Sequence, residues 1–372
     1  MHKKTSLEPV KHLFIFILLI SSFFSFAQEK KLQKYYGYES FLIEGTDIAN
    51  SLKESRYDRL PLSYKERVRK PVWDLSKNAA GLSIRFFSNT TTIRVKWTLL
   101  NNTKMNHMAQ TGIGGVDLYF NNNGKWQYVN TGKPSGFENE FTMTKNMSST
   151  LREYKIYLPL YDGVKNIEIG IDSNSTITKA LKTKSRPIIF YGTSITQGGC
   201  ASRPGMVHTN IISRNLNIDC INFGFSGNGA MEQPINELIA ESNPLFYVIE
   251  CLPNMTPEQV TARTAVLVKT IRAKHAKTPI VFVDNFIYET SFLDQKMAED
   301  IKVKNTALQV EFEKIAAAGI RNIIYIDAKN ATGVDYEGAV DGVHFTDLGY
   351  SRYADFLMKN FAKHGLIPTK TK

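Results

Sequence analysis

The 372-residue chain is poor in cysteine, which narrows the protein classes to which it can belong. It has only three, Cys200, Cys220 and Cys251. This odd number, with no regular spacing, does not resemble the disulfide frameworks of small secreted domains. Cys220 and Cys251 lie in apolar, strand-like runs, a setting typical of buried free thiols. Whether any two of the three pair is left open by the sequence.

Recognisable metal-binding and nucleic-acid-binding patterns are also missing. Five histidines follow residue 27, and none lies at ligand spacing from another or from a cysteine, so the sequence indicates no zinc site and no cofactor. They are His107, His208, His275, His344 and His364. The net charge is +11, but its basic residues are scattered, and nucleic acid is not an expected partner.

Long apolar runs are absent after the first residues. The chain opens with three lysines and an apolar run over 13–20, then reaches the small residues Ser25 and Ala27. The run is shorter than the roughly 20 residues that a spanning helix needs. This pattern predicts a signal peptide over 1–27 and export to the periplasm or beyond the cell, with no integral membrane segment after cleavage.

The remaining chain divides into two predicted domains with different periodicities. Residues 28–180 carry short alternating runs separated by Asn- and Gly-rich turns, which predicts an antiparallel β-sandwich, jelly-roll-like in form. The clearest predicted strands are 82–86, 92–97, 116–120, 125–129, 152–158 and 164–169.

In residues 181–372, near-continuous apolar strands alternate with helical segments. This arrangement predicts a three-layer α/β/α domain with a parallel sheet, and ligands then bind at the carboxyl ends of the strands. The predicted strands are 187–191, 218–223, 245–252, 279–284 and 322–326. The predicted helices are 206–216, 232–241, 257–275, 294–318 and 347–363, the last capped by Thr346 with Tyr353, Phe356, Leu357 and Phe361 facing inward.

One serine, one aspartate and one histidine lie at positions typical of the groups of a catalytic serine site. The first strand of this half ends at Gly192 and presents Ser194, while Asp341 lies three residues before His344. A serine becomes a nucleophile when a base takes its proton and a third group orients that base. Taken singly, these are an ordinary βα turn, a loop carboxylate and a surface histidine. Together they predict a serine hydrolase.

Four segments, at 192–198, 222–228, 251–254 and 341–344, resemble in order the sequence blocks of the SGNH (GDSL) hydrolase family. The resemblance covers about 185–365, and 115–119 is similar to the Gly-x-Asp-Leu-Tyr segment of the domain that precedes the catalytic half in a two-domain branch. It implies a flavodoxin-like catalytic domain. It also implies a triad of Ser194, Asp341 and His344, and an oxyanion hole from the Ser194 and Gly227 backbone N–H groups and the Asn254 side chain.

Two departures from the family pattern concern the same site. Thr193 stands where the family has an aspartate that takes no part in the triad, so catalysis is unaffected. The third block lacks its glycine and has Pro253 before Asn254, which predicts a different pocket wall.

Four further residues are candidate substrate contacts: Arg203, His208, Asp117 and Tyr119. A helix-surface position is an equal alternative for His208. For Asp117 and Tyr119, the alternatives are a domain interface or a turn and core position.

Export and the two-domain resemblance favour a carbohydrate O-acetylesterase that acts on acylated polysaccharide. A lipid or thioester acylhydrolase is an alternative, although no exposed apolar lid segment stands out in the sequence. A carbohydrate-binding surface protein with an inactive hydrolase domain is a third. The acyl group, the sugar, carbohydrate binding by the sandwich and the oligomeric state are left open.

Overall fold

The computed structural model describes residues 32–183 and 185–368. The expected signal peptide, residues 1–27, lies outside the described residues. Within those two ranges, no helix combines the length and apolar character needed to cross a membrane. All three cysteines are buried and carry free thiols.

Residues 33–179 form two antiparallel sheets, as predicted. The strands are β1 Gln33–Tyr36, β2 Leu42–Glu44, β3 Ser83–Ser88, β4 Ile93–Leu99, β5 Val116–Asn122, β6 Lys125–Gly132, β7 Glu138–Thr144, β8 Arg152–Tyr157, β9 Val164–Asp172 and β10 Ile177–Lys179. One sheet has the order β1-β9-β4-β7; the other has the order β10-β3-β8-β5-β6, and β2 also pairs with β3. Strand β4 buries every second residue, so its apolar face packs into a core between the sheets.

The other half is built on a parallel sheet of order β12-β11-β13-β14-β15, the strand order of flavodoxin-like folds. Its strands are β11 Ile188–Gly192, β12 Cys220–Gly224, β13 Phe246–Glu250, β14 Ile280–Val283 and β15 Ile323–Ile326. Its helices are α3 Ser194–Gln197, α4 His208–Leu216, α5 Gln233–Glu241, α6 Pro257–Lys274, α7 Gln295–Ala317 and α8 Asp347–Lys363. Two helices precede them in the amino-terminal half, α1 Lys70–Ser76 and α2 Gln110–Ile113.

Helices cover both faces of this sheet, which confirms the predicted three layers. Residues of α4 and α8 pack on one face, and residues of α5, α6 and α7 pack on the other. Every residue of β11, β12 and β13 is buried. A doubly covered sheet explains why these strands read as near-continuous apolar runs.

The amino-terminal half also helps to cover the parallel sheet. Leu60, Tyr64, Val72 and Trp73 belong to the core on its α5–α7 face. The core of the parallel sheet therefore draws on residues from both sides of the predicted division near residue 180, which stays a prediction as a domain boundary.

A buried arginine reinforces this contact between the halves. The Arg59 guanidinium donates to the carbonyl oxygens of Asn222 at 3.1 Å and Gly224 at 2.7 Å. Burial lowers the pKa of Arg59 to about 9. Because the Gly224 carbonyl ends β12, Arg59 fixes the start of the loop that carries Gly227.

The last helix begins as predicted. Thr346 Oγ1 accepts a hydrogen bond from the Gly349 N–H at 3.1 Å, and Tyr353, Leu357 and Phe361 are buried. The cap thus anchors the loop that contains His344, two residues earlier in the chain.

Removing this cap is expected to affect both stability and activity. Thr346→Ala should lower the free energy of unfolding by about 1 kcal/mol, because one N–H of the first turn loses its acceptor. It should also lower kcat for the serine hydrolase activity that the sequence predicts, since the preceding loop loses an anchor. Urea unfolding and initial rates measure the two effects.

Asp294→Ala is the matched control, because Asp294 caps α7, which carries none of the predicted triad residues. It should lower stability similarly and leave kcat unchanged. An equal effect on kcat from both variants would contradict a specific link between the α8 cap and the His344 loop.

Candidate active site

Ser194 is the first residue of α3 and comes two residues after the end of β11, which lies between β12 and β13 in the sheet. Thr193 caps this short helix, since its side-chain oxygen accepts from the Ile195 N–H at 3.4 Å. The threonine that departs from the family pattern therefore has a structural task. Ser194 itself is about nine-tenths buried.

The structure brings the predicted triad together. His344 Nε2 lies 2.9 Å from Ser194 Oγ, and His344 Nδ1 lies 2.7 Å from Asp341 Oδ2. The serine hydroxyl, the imidazole and the carboxylate form one hydrogen-bonded series. The imidazole can thus accept the serine proton on one nitrogen while the carboxylate orients the other.

Asp341 also organises its own loop. Its Oδ1 accepts from the backbone N–H groups of Val343 at 3.1 Å and His344 at 2.8 Å. Partial burial raises the pKa of Asp341, but the hydrogen bonds from His344 and Val343 outweigh it and hold the pKa below its ordinary value. The carboxylate is therefore ionised at neutral pH and can stabilise an imidazolium.

A glycine lets the histidine approach α3 closely. A Cβ on Gly199 would stand 3.1 Å from His344 Cδ2 and 2.9 Å from the Tyr161 hydroxyl oxygen. Both contacts are tighter than van der Waals packing permits without movement. A larger residue at 199 would require the His344 ring, the Tyr161 side chain or the turn itself to shift.

The two other residues of the predicted oxyanion hole, Gly227 and Asn254, follow the strands on either side of β11. Gly227 has a φ of +67°, and a Cβ there would meet nothing within 4 Å, so there is open space beside its backbone. In the amide orientation that satisfies both of its groups, Asn254 Oδ1 accepts from the N–H groups of Asn228 at 2.9 Å and Gly229 at 3.1 Å. This leaves Asn254 Nδ2 available as a donor.

A buried carboxylate that the sequence did not single out lies behind the site. Glu250 Oε2 accepts from Thr196 Oγ1 at 2.9 Å, and Oε1 accepts from the Tyr353 hydroxyl at 2.6 Å. The His208 ring nitrogen Nε2 lies 3.2 Å from Oε2. Glu250 thereby joins α3, α8 and α4, the first of which carries Ser194. Its only sequence signal was its place at the carboxyl end of a buried strand.

His208 is therefore not a cleft residue. Its side chain is fully buried, and its ring stacks on Tyr350 at a centroid distance of 5.9 Å. The expectation that His208 lines a substrate cleft is wrong, as is the alternative of a helix-surface position. His208 lies instead in the buried hydrogen-bonded network around Glu250.

Arg203, Asp117 and Tyr119 form a contact between the two halves. Arg203 Nη1 donates to Asp117 Oδ2 at 2.8 Å and to the Tyr119 hydroxyl oxygen at 2.6 Å. Asp117 is fully buried and Tyr119 nearly so, which leaves neither exposed to a substrate. Burial raises the pKa of Asp117, and the Arg203 charge and hydrogen bonds oppose this rise. Of the alternatives for Asp117 and Tyr119, the domain interface is the one that the structure shows.

Two family models match the chain. Residues 185–362 match the GDSL-like lipase/acylhydrolase family, and residues 33–177 match the N-terminal domain of SGNH-hydrolase-type esterases, defined by the Gly-x-Asp-Leu-Tyr motif. No curated protein sequence gives a significant match.

Solved structures share the whole architecture. A GDSL-like lipase from Bacteroides ovatus is 33% identical, with a TM-score of 0.87, over 91% of this chain and 100% of that one. A salicylyl-acyltransferase from a tetracycline biosynthetic pathway is 16% identical, with a TM-score of 0.73, over 91% and 99%. An acetyl xylan esterase from the rumen bacterium Butyrivibrio proteoclasticus is 11% identical, with a TM-score of 0.54, over 90% and 99%.

The Glu250 network predicts that one substitution disturbs both stability and catalysis. Glu250→Ala leaves the Thr196 and Tyr353 hydroxyls without their acceptor. It should lower the free energy of unfolding by about 3 kcal/mol and kcat by more than tenfold. Glu250→Gln keeps the size and one acceptor oxygen and should lose less of both.

Glu311→Ala provides the control, since Glu311 is another buried glutamate, on α7, and pairs with Lys314 at 2.7 Å. It should reduce stability without changing kcat. The positioning role of Glu250 is wrong if the folded Glu250→Ala protein keeps the kcat of the wild type.

Proposed function

Because the chain belongs to the GDSL-like lipase/acylhydrolase family, we propose that it is an exported serine esterase that removes acetyl groups from carbohydrate. The observation that carries this proposal is the hydrogen-bonded series from Ser194 Oγ through His344 to Asp341, at 2.9 and 2.7 Å. Family membership makes the chain an ester hydrolase, and the series supplies a nucleophile, a base and an orienting carboxylate.

Acylation begins when Ser194 Oγ attacks the ester carbonyl carbon. His344 Nε2 takes the serine proton, and Asp341 stabilises the resulting imidazolium. The tetrahedral intermediate then collapses, the bond to the alcohol breaks, and His344 returns the proton to the leaving oxygen. The acyl group remains on Ser194 as an ester.

The negative oxygen of the intermediate needs donors that are fixed before the reaction. We assign this role to the backbone N–H groups of Ser194 and Gly227 and to Asn254 Nδ2. One such donor contributes about 3 kcal/mol to the stability of the transition state. Deacylation repeats the same steps, with water as the nucleophile and His344 as its base.

Two considerations support acetylated carbohydrate as the substrate class. The acetyl xylan esterase with the same two-part fold acts, by its name, on an acetylated polysaccharide. The predicted export would place the enzyme where such polymers occur. The third alternative, an inactive carbohydrate-binding protein, is disfavoured because His344 lies within hydrogen-bond distance of both Ser194 and Asp341.

An exposed apolar patch favours a second candidate, the hydrolysis of longer acyl esters. Phe292, Leu293, Val334 and Tyr336 are each at least 65% exposed, and three of them, Phe292, Val334 and Tyr336, line a cavity of about 230 Å³. The turn Glu289–Phe292, which carries one residue of the patch, lies against the triad loop, since a Cβ on Gly342 would collide with the Thr290 side chain. The sequence did not predict this patch because its four apolar residues lie on two loops that are far apart in the chain.

A fluorophosphonate probe tests the nucleophile. Wild-type protein should be labelled, because Ser194 Oγ attacks phosphorus and displaces fluoride, whereas Ser194→Ala should not be labelled. Ser148→Ala, which removes a serine of the sandwich half, should be labelled like wild type. Equal labelling of wild type and Ser194→Ala would make the enzyme proposal wrong.

Acyl-chain selectivity separates the two candidate functions. We expect acetate release from acetylated polysaccharides, and nitrophenyl acetate should be preferred over nitrophenyl esters of long acyl chains in kcat/KM. The double variant Phe292→Ser/Leu293→Ser should leave the acetate rate unchanged. A preference for long chains that this variant abolishes would instead establish the second candidate.

A further inference from the structure

We infer that His107, Cys200, Asp341 and His344 form a binding site for one Zn²⁺ ion, and that its occupancy blocks the triad. Each residue offers one ligand atom, and these four atoms lie within 4.8 Å of one another. The set comprises two imidazoles, a thiol and a carboxylate, which are the donor types that zinc takes in proteins.

The four ligands come from three distant parts of the chain. His107 lies on the loop between β4 and α2, and Cys200 on the turn after α3. Asp341 and His344 lie on the loop before α8. The expectation of no zinc site rested on local spacing, which cannot register residues that only the fold brings together.

The loop that carries His107 is held on both sides of the histidine. Before it, the N–H groups of Asn101 and Thr103 donate to the two carboxylate oxygens of Asp162 at 2.8 and 2.7 Å. After it, Met108 is buried in the core of the α/β half. The His107 ring thus lies beside the His344 ring, with 5.9 Å between their centroids, and its exposure gives a metal ion access from solvent.

Cys200 adds an independent observation. Its φ of +67° is a left-handed conformation that is uncommon for a residue other than glycine and that tends to occur at functional sites. The thiol is buried close to Asp341. Burial and the Asp341 charge raise the pKa of Cys200 to about 12, so zinc binding must release the thiol proton.

The cluster needs side-chain movement of about an ångström to hold the ion. Bonds of 2.0–2.3 Å in tetrahedral geometry place neighbouring ligand atoms about 3.4 Å apart. His107 is exposed, so its side chain has room to move toward the ion. Asp341 Oδ2 and His344 Nδ1 are 2.7 Å apart and must separate slightly to bind the same ion.

Occupancy should inhibit the enzyme. If zinc binds His344 Nε2, the lone pair that accepts the serine proton is no longer free. If zinc binds Nδ1, that nitrogen loses the proton that it donates to Asp341. Asp341 can no longer orient the imidazole while it binds the same ion. The inhibitory effect, though not the binding itself, rests on the proposed esterase function.

Calorimetric titration of the full-length protein with ZnCl₂ tests the site without reference to activity. Wild type and Ser194→Ala should each bind one ion, since Ser194 is not a ligand. His107→Ala and Cys200→Ala should each weaken binding at least tenfold. His364→Ala, which removes an exposed histidine at the end of α8, should bind like wild type. No binding to wild type, or equal affinity of wild type and His107→Ala, overturns the inference.

A second arm measures hydrolysis of nitrophenyl acetate with increasing ZnCl₂. Wild type should lose activity as zinc is added and recover it when EDTA is added. In His107→Ala, the zinc concentration for half inhibition should be at least tenfold higher than in wild type. Inhibition of each protein is measured relative to its own rate without zinc. If zinc binds but no variant hydrolyses ester, the proposed function fails and the site stands. If zinc binds through His107 and the rate is unaffected, the inhibitory role is wrong.

Discussion

The catalytic geometry depends on one buried carboxylate. Glu250 ends the strand next to the one that delivers Ser194, and it is hydrogen-bonded to groups on α3, α4 and α8. A carboxylate removed from water is costly unless its oxygens are well satisfied. Here the Thr196 and Tyr353 hydroxyls offset that cost with short hydrogen bonds. The helix of the nucleophile and the helix behind the histidine loop thereby share one anchor, which explains how residues 150 positions apart keep hydrogen-bond distance.

The sandwich half takes part in the same construction. Tyr161 reaches the Ser194 carbonyl oxygen at 3.4 Å, and the Leu160 carbonyl accepts from the Gln197 side chain at 3.2 Å. Arg59 fixes the end of β12, and Arg203 joins the halves around Asp117. Most of these contacts are buried, and each is a hydrogen bond with a defined geometry. They therefore fix how the two halves are placed relative to each other, in addition to burying surface between them. The active site is thus a product of both halves.

The features that repeat locally could be predicted from the sequence. The parallel strands and long helices were found within about two residues of their ends, because buried strands and helical stripes have clear periods. The triad followed from the order of its motifs. By contrast, β7 was missed because it is a strand at the edge of its sheet with charged residues at alternate positions. Glu250, Arg59 and the neighbours of His107 were missed because their roles arise only from tertiary contacts, which leave no periodic trace.

The packing of Leu60, Tyr64, Val72 and Trp73 on the parallel sheet bears on how the chain can fold during synthesis. These side chains leave the ribosome more than a hundred residues before the strands that they cover. Until β11 and β13 exist, this apolar set has no partner and is open to association with other chains. The segment that carries these side chains can therefore reach its final packing only after the parallel sheet has formed.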